Sequence, residues 1–150
     1  MHPILKQIAT ELNETEAGPG FRYRFALACI EDVAPNLEED SAIGALAKFR
    51  ELVASFDRQR LDEIKAMAAE LKGISQSHQG SRSIDGARHA AVSATYALAR
   101  AVDGDAVNAA AYAAYSAIYA YGGYAVSDPA SFDEAHQKQL DMLRAMRAAG

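Results

Sequence analysis

An all-α domain is what this sequence predicts, and three observations predict it. Alanine dominates, tryptophan is absent and runs of β-branched residues are scarce, a balance that favours helix. Apolar residues recur at intervals of three and four along nearly the whole chain, and no segment alternates apolar and polar residues as a half-buried strand would. The breaks between periodic segments are short and carry Gly, Pro, Ser or Asp. Together they give a single domain, residues 1–150, of about seven helices with short connections.

The elements follow in order. Ile4 to about Glu14 carries Ile4, Leu5, Ile8 and Leu12 on one side, a short amphipathic helix. AGPG, Ala17–Gly20, breaks the pattern. Phe21–Ala34 (FRYRFALACIEDVA) is apolar on most faces and reads as a central, largely buried helix, ended by Pro35. Ser41–Phe56 shows the stripe Ile43, Leu46, Phe49, Val53, Phe56. Asp57 is a good N-cap for the next helix, whose inward positions are Leu61, Ile64, Met67, Leu71 and Ile74.

SQSHQGSRS, Ser75–Ser83, is the most loop-like stretch. From Ile84 to Val102 the stripe is Ile84, Ala87, Ala91, Thr95, Leu98 and Val102. Asp103–Asp105 (DGD) closes that helix and caps a tyrosine-rich one, which Gly122–Gly123 ends. The last helix has two sound starts, Asp128 before Pro129 and a capping box from Ser131 to Glu134.

The totals exclude some functions. A chain of 150 residues with 23% charged side chains builds one globular core. A formal charge of −5 argues against nucleic acid, whose phosphates need clustered Lys and Arg, and leaves a basic protein partner open. The N-terminus MHPILKQIATELNE predicts neither a signal peptide nor a membrane span, hence a cytoplasmic protein without membrane contact. The single cysteine, Cys29, lies in an apolar run and reads as a small buried hydrophobe. The four histidines lie in different segments, no Cys/His cluster or Glu-x-x-His repeat occurs, and no phosphate-binding glycine loop is present. No metal, cofactor or catalytic constellation is therefore predicted.

Two surfaces stand out as binding candidates. Asn108–Pro129 (NAAAYAAYSAIYAYGGYAVSDP) holds five of the seven tyrosines. At 100° per residue Asn108, Tyr112, Tyr115 and Tyr119 share one helix face, opposite Ala106, Ala110, Ala113, Ala114 and Ala117. The alanine face suits close helix packing. The tyrosine face suits a boundary half buried and half wet, either the wall of the core or a recognition surface. On the preceding helix His89, Tyr96 and Arg100 share a face that would make a polar, aromatic groove if it met the stripe. The second surface is acidic: between Arg24 and Lys48 there is no basic residue, while Glu31, Asp32, Glu38, Glu39 and Asp40 occur. Such a cluster steers a basic partner or merely furnishes a helix N-terminus with negative charge.

Three segments resemble one of the immunity-protein families of bacterial polymorphic toxin systems. RFALACIEDVAPNLEE (Arg24–Glu39) is similar to that family's opening helix, an arginine-led apolar run ending at proline. ARHAAVSATYALARAV with NAAAYAAYSAIYAY is similar to its paired alanine-rich helices, and FDEAHQKQLDML (Phe132–Leu143) to its closing segment. The sequence departs from the pattern in Ala42–Gly73, which lacks a basic, proline-containing start, and at Tyr112 and Tyr115, where a histidine is more typical. The resemblance implies a protein that neutralises a cognate toxin by contact and catalyses nothing itself. Two alternatives accompany it: a helical module binding a small ligand or nucleotide between Tyr96, Tyr112 and Tyr115, and a homodimer assembled through the alanine faces.

Overall fold

The computed structural model describes residues 1–15, 18–77, 86–121 and 128–149. Among them are seven α-helices and one 3-10 turn: α1 (Pro3–Glu14), α2 (Pro19–Glu31), the turn Ala34–Asn36, α3 (Asp40–Ala54), α4 (Arg58–Ser77), α5 (Gly86–Val102), α6 (Ala106–Tyr121) and α7 (Pro129–Ala149). No strand occurs among the described residues.

Side-chain caps set several of the helix starts. Asp57 Oδ1 accepts the N–H of Arg60 at 2.8 Å, and Asp105 Oδ1 that of Asn108 at 3.1 Å. Asp128 Oδ1 accepts the N–H of Ala130 at 3.0 Å, so α7 begins at the Asp-Pro step rather than at the Ser131 box.

Other boundaries differ from the periodicity. α2 starts two residues early because Gly18, at φ +77°, turns the chain and Pro19 fits the first helical position. It ends at Glu31 instead of Ala34, because Pro35 has no N–H to continue the ladder and the chain tightens into the 3-10 turn. α3 stops at Ala54, leaving Phe56 to fold back over Gly20, where an added Cβ would lie 3.0 Å from the Phe56 ring. Ser75–Ser77, expected in a loop, continue α4, since no proline stands there to stop it. The remainder of that loop, Ile84 and Gly122–Gly123 lie outside the described residues, as do the side chains of Ile74 and Ala87.

α2 is the central helix. It packs on α3, α5, α6 and α7, and Phe21, Tyr23, Phe25, Ala26, Cys29 and Ile30 are all buried. The consecutive pairs α3–α4, α4–α5, α5–α6 and α6–α7 pack side by side, and α1 closes on α7 and α6. Ile43 is a misplaced core residue: it is 46% exposed, and Ala42, fully buried, takes the inward position.

The most extensive helix pair is α5 with α6. The seam joins helices whose buried side chains are mostly alanine: Ala90, Ala94, Ala97 and Ala101 of α5 and Ala106, Ala109, Ala110 and Ala113 of α6 are each no more than 2% exposed. Small side chains let the two backbones approach closely. These alanines are therefore packed within one chain. Ala117 departs from its expected packed face and is exposed. Ser116 crosses the seam instead, donating to the Ala90 carbonyl at 2.7 Å and accepting from Asn36 Nδ2 at 3.0 Å. Ala94→Val should cost about 1–2 kcal/mol through overpacking and a β-branched residue in mid-helix, measured as a lower urea midpoint. An unchanged midpoint would mean that the seam has slack.

Candidate functional site

The tyrosine stripe and the companion face of α5 do meet. His89 stacks on Tyr119 with ring centroids 4.9 Å apart and planes 24° apart, and Tyr96 stacks on Tyr112 at 5.4 Å and 25°. Arg100 sits exposed in the last turn of α5 and joins neither pair. Asn108 serves its own helix start, with Nδ2 donating to Asp105 Oδ2 at 2.7 Å.

The contacts of Tyr115 are with α7. Its ring meets Phe132 edge-on at 4.9 Å, and Phe132 stacks on His136 at 6.2 Å, one helical turn further on. His136 in turn touches His2 at 4.9 Å. With Tyr119 6.4 Å from Tyr115, a path of six rings runs His89–Tyr119–Tyr115–Phe132–His136–His2 across four segments. Tyr115, at its middle, is 42% exposed, and His136, near its end, is only 2% exposed.

Hydrogen bonds fix the two histidines. His2 Nδ1 accepts the N–H of Ile4 at 3.1 Å, so Nε2 carries the proton and donates to Asp133 Oδ1 at 2.6 Å. This bond ties the cap of α1 to α7. Gln139 Nε2 donates to the Ala110 carbonyl at 2.9 Å, which turns Gln139 Oε1 toward His136 Nδ1, 2.8 Å away. His136 therefore carries its proton on Nδ1. Burial pushes its pKa below the ordinary value and the His2 ring adds to that, while Gln139 and Asp133 oppose it.

A cavity of about 350 Å³ opens beside Tyr115, lined by Met1, His2, Leu5, Ala111, Phe132 and His136 as well. Tyr96 and Tyr112, expected to line a pocket with Tyr115, do not line this one. They cover each other.

All five residues of the acidic segment are exposed. Glu31 is held by Arg50 at 2.7 Å and Asp32 by Lys138 at 3.4 Å. Glu38, Glu39 and Asp40 are exposed at the entry to α3. Cys29 is sealed in the core, and burial pushes its thiol far up, which removes the thiolate a nucleophile needs. Among the described residues no group of three or more His, Cys, Asp or Glu could hold a metal ion, and no helix is long and apolar enough to cross a membrane.

Periodicity missed His2, Phe132, Asp133 and His136. The one local signal for them is Phe132 and His136 four apart in FDEAHQ. Compared with family models, with curated proteins and with solved structures, the chain finds no match.

Proposed function

We propose that this chain is a non-catalytic binding protein that docks a partner protein on the ring-lined wall around Tyr115. One observation carries this: Tyr115 is a large, 42% exposed ring held between Tyr119 and Phe132. A tyrosine anchored by its neighbours has little rotamer freedom left to lose on binding, which is what makes aromatic side chains effective at interface centres. The toxin-neutralising role implied by the sequence resemblance gives the partner a form, a toxin enzyme with a basic surface met in the cytoplasm. The exposed Glu38, Glu39 and Asp40 and the net charge of −5 favour a basic partner, by speeding encounter at low salt.

The test uses the wild-type chain and Tyr115→Ala as immobilised baits in lysate of the source organism, at low and high salt. The substitution should cost the fold only about 1 kcal/mol, because much of the ring is already in water. A basic protein captured stoichiometrically by the wild type should be lost at least about tenfold by the variant and weakened by salt. Equal capture by both baits would refute docking at Tyr115.

A further inference from the structure

The two histidines of the ring path differ in one respect. Both nitrogens of His2 are engaged, Nδ1 by the Ile4 N–H and Nε2–H by Asp133. Only one nitrogen of His136 is. Nδ1–H goes to Gln139, and Nε2 has no hydrogen-bond partner among the described residues, although the side chain is 98% removed from water. A buried acceptor left unmatched is costly, and native proteins rarely leave one without a water or a ligand to answer it. The His136 ring forms part of the cavity wall beside Tyr115.

The lining restricts what can enter. Leu5, Ala111, Tyr115 and Phe132 supply apolar and aromatic surface, and Met1 completes the lining at its exposed edge. The Asp133 carboxylate, bonded to His2 at the edge of the cluster, repels anions. An ammonium ion would surrender its hydration to mostly apolar walls. About 350 Å³ is near the lower end of ligand pockets, room for one ring or a fused pair. We propose that this cavity binds a small neutral aromatic ring carrying a single N–H or O–H donor, a phenol or an indole, with the donor delivered to His136 Nε2 and the ring packed against Tyr115 and Phe132. The depressed basicity of His136 keeps its Nε2 lone pair available at neutral pH. This site needs no protein partner, so it stands or falls apart from the docking role of Tyr115.

The experiment is a titration of the full chain with phenol, with indole and with toluene, which offers a ring but no donor. The imidazole ¹⁵N resonances are followed by NMR at pH 7.5. Phenol and indole should bind saturably, shift the His136 Nε2 signal and leave His2 bonded as before. They should bind at least about tenfold more tightly than toluene, as expected for a hydrogen bond to a buried acceptor. Ala111→Leu, which fills the cavity from a half-buried position, should abolish binding while the helical circular dichroism stays unchanged. Toluene binding as well as phenol would overturn the proposal. So would a saturable response that leaves His136 Nε2 unmoved, or no response up to the solubility limit, which would leave a bound water as the partner of Nε2.

Discussion

Replacing Glu11 by alanine should destabilise the fold by about 2–3 kcal/mol. Glu11 is a buried carboxylate on α1 that accepts four hydrogen bonds. Arg144 grips it with Nη2 on Oε2 at 2.9 Å and Nε on Oε1 at 3.1 Å, Arg147 Nη1 reaches Oε1 at 3.2 Å, and Gln7 Nε2 reaches Oε2 at 2.8 Å. The Arg144 hydrogen bonds foremost, then Gln7 and the charges of both arginines, hold its pKa down at about 2 against the opposing effect of burial. Relative to an ordinary 4.5, that shift corresponds to roughly 3 kcal/mol. The arginine side chains are 52% and 33% exposed, so solvent screens part of it, and an orphaned arginine can return to water.

The pH dependence has a definite sign. Above pH 4.5 Glu11 is ionised in both folded and unfolded chains and its stabilisation is complete. As pH falls from 4.5 toward 2, the unfolded chain takes up the proton while the folded one does not, and the contribution is lost. Urea unfolding at pH 7 and pH 3 should therefore show a smaller acid loss in Glu11→Gln than in the wild type. Equal losses in the two proteins would place acid sensitivity elsewhere.

Glu11 also shows where reading by periodicity stops. It lies three residues after Ile8, on the apolar side of α1, and a helical wheel assigns that side to the core without saying that one member is a carboxylate with partners. Those partners stand 133 and 136 residues away, and the His2–Asp133 bond spans 131. Local pattern carries no information on pairings of that range.

What local chemistry does govern was legible. The caps at Asp57, Asp105 and Asp128 are i to i+2 or i+3 contacts. The central place of α2 follows from apolar residues on most of its faces. The meeting of His89 and Tyr96 with the stripe, which the sequence left open, has a local cause in the three-residue turn Asp103–Asp105, which brings α5 and α6 into antiparallel contact. Gly104, at φ +83°, makes that turn possible. Tyr115 was legible as half wet, whereas its contact with Phe132 depends on where α7 lies, which neither helix specifies alone.

Phe49→Ala should carry the larger cost, about 3–5 kcal/mol. Phe49 is the α3 side chain that meets α2 at its most buried level, with none of its surface in water. Its ring receives Tyr23 of α2 edge-on at 6.1 Å, and Tyr23 also leans on Phe56 at 5.8 Å. The Tyr23 hydroxyl reaches the α5–α6 turn, where a Cβ added to Gly104 would lie 3.6 Å away. Burial, and then the charge of Asp103, push the Tyr23 pKa above its ordinary value. Truncating Phe49 therefore removes a ring from the core and leaves Tyr23 with one aromatic neighbour instead of two. Domains of this kind are stable by only about 5–15 kcal/mol, so the variant should unfold at a far lower urea concentration, and Phe49→Leu should recover more than half of the loss by refilling the space. If alanine and leucine proved equally costly, the loss would lie in the aromatic contact with Tyr23 rather than in the cavity, and Tyr23→Leu should then cost less in the Phe49→Ala background than in the wild type.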